Sequence, residues 1–491
     1  MIKKLSILLL LIAVSAAGSF LFYAYSNYKI HADFSPLPLS FDPYTSASSY
    51  NWDGTAVTIE GGFVKGTMKE KQGQESLLLR ALAPTPKIRI KGSAQAKNMF
   101  LRVENVNPAM LATTFPNGSF QVIDPHTILL TISVAPNEEK SLELTLKEPQ
   151  ASEFVILGDN RNGYKTFGQI IDQINAFRPA FVIDNGDLVF GGEPNRYRLF
   201  YETVSKLQVP LYTTLGNHDI RENGRPIYTE LFGPPYYSFD YLNTHFVFLD
   251  SSRGWTEKRA IPEEQYQWLE SDLQKAQGKR IIVISHIPSS DPRADLQPNT
   301  YPDKPPTEKT NLIEQQFQKL SGTNNLDHAF PDKEEARRFE GLMSQYGVDT
   351  VYFSHIHAFF SYTRDKVNYI ISGGAGAELL TKDSYYHYIR INLNSKNNVL
   401  EVIQLPSPPN ALQDRYLAAL GLFASSTYKE YRPLVLGIGG LIVLLLGWLL
   451  WLNRHRWWHH VRAIGIWLFR TLKFAGAEFR ETVLRKKRAD K

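Results

Sequence analysis

Residues 152–163 read SEFVILGDNRNG, and residues 181–187 (FVIDNGD) and 209–219 (VPLYTTLGNHD) follow the same plan. Each is a short run of buried-type residues that ends beside a glycine and gives way to Asp or Asn. Residues 280–286 (RIIVISH) and 350–357 (TVYFSHIH) end instead in Ser-His and His-x-His. The predicted strands are Phe154–Leu157, Phe181–Ile183, Val209–Thr213, His245–Leu249, Arg280–Ile284 and Thr350–Phe353. Between them Ile170, Ile171, Ile174 and Phe177 recur at helical spacing. So do Tyr266, Leu269 and Leu273, in a segment opened by Pro262, a favoured first helical position. Alternating strands and helices point to an α/β layered fold. A turn at Asn394–Asn398 joins two last strands, His387–Leu393 and Val399–Leu405.

In open α/β sheets the loops beyond the strand carboxyl ends form the ligand crevice. Here they bring together three Asp (Asp159, Asp187, Asp219), Asn217 and four His (His218, His286, His355, His357). Glycine beside Asp159, Asp187 and Asn217 suits tight turns where a ligand comes close. The chain has no cysteine, so a metal must be held by nitrogen and oxygen donors, a set suited to Mn, Fe or Zn. Two ions sharing a carboxylate can clamp the attacking and leaving oxygens of a phosphoryl transfer. A single Asp or His at a strand end is more often a cap or a core residue. The ordered set, with Gly216-Asn217-His218-Asp219 at its centre, is far more specific.

That set, Gly-Asp-x-Arg, Gly-Asp, Gly-Asn-His-Asp, Ser-His and His-x-His, resembles the calcineurin-like metallophosphoesterase superfamily, which includes purple acid phosphatases. The resemblance covers about residues 150–405 and extends to Leu249-Asp250-Ser251 and to Gln265–Leu269. It implies a four-layer α/β/β/α sandwich. It also implies a site of two divalent or trivalent ions, Mn, Fe or Zn, bridged by Asp187. Asp159 and His357 would complete the first site, and Asn217, His286 and His355 the second. A water activated by the two cations would be the nucleophile. His218 would contact the phosphate and protonate the leaving oxygen, with Asp219 holding that imidazole and raising its pKa. One position departs from the pattern: Arg161 stands where the family has a histidine ligand, and a guanidinium cannot ligate a metal. Either the first site has one protein ligand fewer, or Asn160 or a tyrosine (Tyr164 and Tyr212 are near in sequence) fills in. Arg161 is expected to bind the substrate phosphate as a fork, the alternative being a structural ion pair. The Pro/Asp/Asn/Lys-rich stretch from Pro288 to Asp332 follows His286 and is expected to border the substrate cleft.

The 491 residues carry a net charge of +5, and residues 453–491 hold 11 Lys/Arg against 3 Asp/Glu. The basic balance therefore belongs to the tail, and nucleic-acid binding by the body is not expected. Two stretches suit a bilayer: Leu5–Tyr25 after Lys3 and Lys4, and Pro433–Leu452 with Trp448 and Trp451 near its end. The first is read as an uncleaved anchor, with a signal peptide ending near Ala16 and Ala17 as the alternative. Flanking bases then put both termini in the cytoplasm and the body outside the cell membrane.

Six parts are expected: an anchor or signal segment (1–28), a β-rich sandwich-like domain (29–149), the metallophosphoesterase domain (150–407), a linker (408–432), a transmembrane helix (433–452) and a basic cytoplasmic tail (453–491). The tail interleaves bases with Trp, Phe and Leu, a pattern fit for an amphipathic helix on an anionic leaflet or for a solvated stop-transfer tail. The expected function is metal-dependent hydrolysis of a phosphate monoester or diester at the outer membrane face, on a lipid- or envelope-linked substrate. The rival is a non-catalytic phosphate-ligand-binding or scaffold protein that kept the fold and lost the first metal.

Overall fold

A computed structural model describes residues 2–26, 34–112, 119–147, 151–255, 257–294, 328–379, 384–394, 400–406 and 411–454. The chain divides into two compact units, residues 28–422 on one hand and residues 1–27 with 423–491 on the other.

Two sheets dominate the larger unit. The first runs in the order Leu211–Thr213, Val182–Asp184, Glu153–Leu157, His387–Asn392, Leu400–Gln404, with its first three strands parallel. The second runs Tyr237–Tyr241, Thr244–Phe248, Arg280–Ile284, Thr350–Phe353, Val367–Ser372, Phe359–Arg364, with the inner four parallel. Alternate side chains face opposite ways along each strand. Phe154, Ile156, Phe181 and Ile183 therefore meet Phe246, Phe248, Ile282 and Ile284 between the sheets. Their neighbours Val155, Leu157 and Val182 face Phe167, Ile170, Ile171 and Ile174 of helix Tyr164–Phe177. On the other outer face Val247, Ile281, Val283 and Val351 meet Leu269 and Leu273 of helix Glu263–Lys275 and Phe339 of helix Lys333–Gln345. Burial on both faces is why these strands read as unbroken apolar runs. Each such side chain contributes about 1.5–3 kcal/mol by leaving water. The layers are those of the expected α/β/β/α sandwich, and the loops that follow the parallel strands carry the motifs.

Residues 35–143 form a six-stranded and a four-stranded sheet. Their core is made of alternating residues such as Val57, Ile59, Leu77, Leu79, Ile88, Ile90, Leu101, Ile128 and Leu130. This part also closes an edge of the first α/β sheet. The Asn105 side chain donates to the Leu211 carbonyl (3.0 Å) and accepts from its N–H (2.7 Å), and Arg80 donates to the same carbonyl (3.2 Å). The Leu211 backbone groups at that edge are thereby taken, which blunts the edge against pairing with another chain.

The stretch expected as a linker, 408–432, holds helix Ala411–Glu430 instead. Its polar residues, and Pro406, Pro408 and Pro409 just before it, hide a helix-compatible run of Ala and Leu. In the smaller unit Lys4–Ala24 and Arg432–Leu452, 21 residues each, are long and apolar enough to cross a membrane. Phe20 and Tyr431 meet edge to face at 5.5 Å. Leu441, Val443, Leu444 and Leu450 stay exposed, a surface that water disfavours and lipid does not. The expected amphipathic tail and most of the expected cleft-bordering stretch (295–327 of 288–332) lie outside the described residues.

Candidate metal centre

The backbone of the strand-end loops is bent to aim side chains inward. Asp159 (φ +59°), Asp187 (φ +56°) and His355 (φ +65°) all occupy the left-handed region, which costs about 1–3 kcal/mol for a residue with a Cβ. Gly186 (φ +81°) makes the turn before Asp187 without that cost. Gly216 is needed for space, since a Cβ there would lie 2.1 Å from the Asp187 amide nitrogen. The amide of His218 donates to Asp187 Oδ1 (2.9 Å), joining two loops of the first sheet, and that of His355 donates to Asp159 Oδ2 (2.7 Å), tying a loop of the second sheet to one of the first.

One donor set comprises Asp187, His286 and His355, with ligand atoms within 4.8 Å of one another. His286 Nδ1 lies 2.8 Å from the Asn185 carbonyl, which can only accept, so Nδ1 carries a hydrogen. In the neutral ring Nε2 is then a lone pair, and it faces Asp187 Oδ1 at 3.2 Å. A ring lone pair and a carboxylate that close need a proton or a metal ion between them. Burial works against a charge on His286, but Asp187 and Asp159 override it and raise its pKa to about 9. Asn217 Oδ1 is buried with no hydrogen-bond partner among the described residues, a costly state for an amide oxygen unless an ion takes it. These residues fit a metal ion, and the carbonyl behind His286 is the outer support that fixes a ligand's tautomer.

The other set is Asp159, Asp187 and His357. His357 Nδ1 donates to the Glu378 carbonyl, and Nε2 lies 3.3 Å from Asp159 Oδ1. Here the cation is part of the chain. Arg161 Nη2 donates to His357 Nε2, Nη1 lies 2.8 Å from His218 Nε2, and Nε lies 3.3 Å from Asp187 Oδ2. Glu378 Oε1 is a further 3.4 Å partner of Nη1. Burial disfavours this charge, but Glu378, Asp187 and Asp159 outweigh it and raise the guanidinium's pKa. Asp187 is likewise buried, and His218, His286 and Arg161 hold its carboxyl well below the usual range.

Asp219 does not hold the His218 ring, contrary to what the resemblance implies. Its carboxylate accepts from the Val189 amide (3.0 Å) and the Gly216 amide (2.8 Å), so it braces two motif loops. His218 Nδ1 faces the Phe190 carbonyl at 2.6 Å, and its Nε2 accepts from Arg161. Burial and Arg161 push His218 down to about 3, the reverse of the expected rise. Of the fill-in candidates, Tyr212 packs between the sheets, while Asn160 donates to Asp184 through Nδ2 and its Oδ1 is buried with no hydrogen-bond partner among the described residues.

The other family-like features are supports. Gln265 makes paired bonds with the Asp250 backbone, and Ser251 Oγ accepts from the Ile287 amide and lies 2.9 Å from Ser285 Oγ. Three participants were not singled out by sequence reasoning: Glu378, Phe190 and His328. Glu378 closes the Gly373-Gly374-Ala375-Gly376-Ala377 loop, whose glycines were a usable signal. Phe190 acts through its carbonyl, which carries no side-chain signature. The His328 ring is 5.0 Å from that of His355.

Residues 152–359 match the family described as calcineurin-like phosphoesterase. Over 122 residues the chain is 33% identical to a probable glycerophosphodiester phosphodiesterase GpdQ of Arcobacter nitrofigilis, covering 23% of this chain and 42% of that protein. Over 128 residues it is 31% identical to the glycerophosphodiester phosphodiesterase GpdQ of Enterobacter lignolyticus, covering 24% and 46%. The chain thus spans less than half the length of these curated relatives. Among solved structures it is similar to purple acid phosphatase PPD1 from yellow lupin seeds, with a TM-score of 0.38, 14% identity and coverage of 65% of this chain and 70% of that one.

Proposed function

We propose, taking residues 152–359 as a calcineurin-like phosphoesterase domain, that this chain is a metal-dependent hydrolase of phosphate esters at the outer face of a membrane. The observation that carries the reading is the convergence of Asp187, His286 and His355, together with the buried Asn217 Oδ1 that has no hydrogen-bond partner among the described residues. A metal ion bound there would polarise a phosphoryl oxygen and lower the pKa of water. Arg161 presents two N–H groups that a phosphate can accept in place of His218 and His357. Once an anionic phosphate takes Nη1, His218 loses the Arg161 contact that lowers its pKa in addition to burial, and gains a negative neighbour. Its Nε2 can then hold a proton for the leaving oxygen. The Phe190 carbonyl keeps Nδ1 protonated throughout, so the ring stays oriented.

The resemblance implies two ions, and the dinuclear form of this reading needs Arg161 to withdraw from Asp159, Asp187 and His357. Lys3 and Lys4 before one apolar helix and Arg454 after the other support a body outside and termini inside. That position favours an ester on a lipid or cell-envelope molecule. The named activity of the relatives makes a diester the first substrate class to try. The binding-protein reading draws on one observation, the guanidinium lodged among the first set of donors.

The test uses the full chain in detergent, stripped with chelator and assayed on aryl phosphate monoesters and diesters with added Mn, Fe or Zn. Metal-restored hydrolysis that Asn217→Ala and His218→Ala both abolish is expected. Hydrolysis indifferent to metal and to both substitutions, or none with any metal, would move the assignment to the binding protein.

A further inference from the structure

We propose that this site works with one metal ion, held by Asp187, Asn217, His286 and His355, and that the Arg161 guanidinium is the built-in cation standing where a first ion would sit. The inference rests on the metal-dependent reading above and adds to it the number of ions and the role of Arg161. His357 has one lone pair to give, because its Nδ1 hydrogen is committed to the Glu378 carbonyl, and Arg161 Nη2 takes that lone pair. Asp187 Oδ2, the oxygen not engaged by the His218 amide, lies 3.3 Å from Arg161 Nε. Of the atoms a first ion would need, the His357 lone pair is therefore already taken by an N–H of Arg161, and Asp187 Oδ2 already has the guanidinium's charge at ion-pair distance, without a hydrogen bond between them.

Arg161 is also anchored. Its own amide donates to the Asp187 carbonyl (3.0 Å), its φ is +34°, and the residue is 7% exposed. A guanidinium pinned at both backbone and side chain does not leave at small cost, and its charge cannot be titrated away. Charge balance points the same way. Asp159, Asp187 and Glu378 supply three negative charges. Arg161 with one divalent ion gives three positive ones, whereas two divalent ions beside the same arginine would crowd five into a buried space. What the missing ion would have done for a phosphate, neutralising and orienting its oxygens, the fork of Arg161 does with directed N–H donors. The histidine of the family pattern is a neutral donor that invites a metal, and the arginine here repels one.

The experiment counts ions on the full chain in detergent, stripped and re-dialysed against Mn²⁺, by elemental analysis and by electron paramagnetic resonance. One Mn²⁺ per chain with an uncoupled spectrum is expected, and Arg161→His is expected to raise the count to two with a spin-coupled signal. Two ions in the native chain, or a coupled spectrum from it, would overturn the one-ion site and leave the hydrolase reading intact. A count that stays at one in folded Arg161→His would also overturn it, since the arginine would not be what excludes the ion. No ion in the native chain would overturn both this inference and the metal-dependent reading. The native chain's count and spectrum decide the matter even where Arg161→His fails to fold.

Discussion

His286 and His357 enter the centre in the same manner, each with Nδ1 bound to a main-chain carbonyl and Nε2 within 3.3 Å of an aspartate, yet the two halves end differently. Around His286 the ring nitrogen and Asp187 face each other across a place for a proton or an ion. Around His357 the chain's own guanidinium already lies among the acceptors. The aspartates and carbonyls are alike, so they do not decide the outcome. It is decided by one residue two positions beyond Asp159. A donor set should therefore be read together with every charged side chain that reaches it.

Several substitutions break or sharpen that contrast. The largest effect is expected from Asn217→Ala, which removes an oxygen donor from the ion-binding half. Metal affinity and hydrolysis should fall by more than about 100-fold, beyond what loss of an outer support costs. Metal titration and turnover of an aryl diester would check it. His218→Ala should lower turnover by about 10²–10⁴-fold, as for loss of a general acid, while the bound metal is retained. Arg161→Gln keeps a hydrogen-bonding side chain and removes the charge. Turnover should fall by about 10²-fold. Steady-state kinetics should put part of that loss in KM, because the fork binds ground-state phosphate as well.

Smaller effects are expected where a residue acts only through the fold. Asp219→Asn leaves one of two buried amides without its acceptor, which should lower stability by about 1–3 kcal/mol. A melting curve would show it, and turnover should fall far less than in His218→Ala. If Asp219→Asn instead matched His218→Ala in turnover with an unchanged melt, the brace assignment would be wrong.

His245 supplies a contrast outside the centre. Both ring nitrogens face carboxylates, Asp240 at 2.8 Å and Asp272 at 2.9 Å, so both must donate and the ring takes a proton rather than a metal. Burial opposes the charge, but the two carboxylates win and raise its pKa to about 9. A pKa raised on folding stabilises the protein fully below the unfolded value, about 6.5, and that gain fades as pH climbs through about 9. The melting difference between the native chain and His245→Gln should therefore be widest below about pH 6.5. It should reflect on the order of 2–3 kcal/mol and shrink toward pH 9.

The candidate ligands were legible in sequence because each lies at or just beyond the end of a short apolar strand, a local signal needing no tertiary knowledge. The four layers were less local, and the resemblance supplied them before Phe154 and Phe246 were seen to meet between sheets. What stayed hidden was direction. Nothing in Gly-Asn-His-Asp says that Asp219 turns to two amides, or that the Phe190 carbonyl is the partner of His218. Arg161 was visible as a departure, but its reach to His357, His218 and Asp187 depends on three loops brought together by folding. Tyr212 looked close to the site in sequence and lies in the core because strand alternation turns it inward.

The measurement that tests the account most directly is anomalous diffraction at the manganese edge from crystals of the full chain grown with Mn²⁺. One peak among Asp187, Asn217, His286 and His355, with Arg161 still bonded to His357, is the predicted result. A peak among Asp159, Asp187 and His357 with Arg161 displaced, or no peak near Asn217, would contradict it.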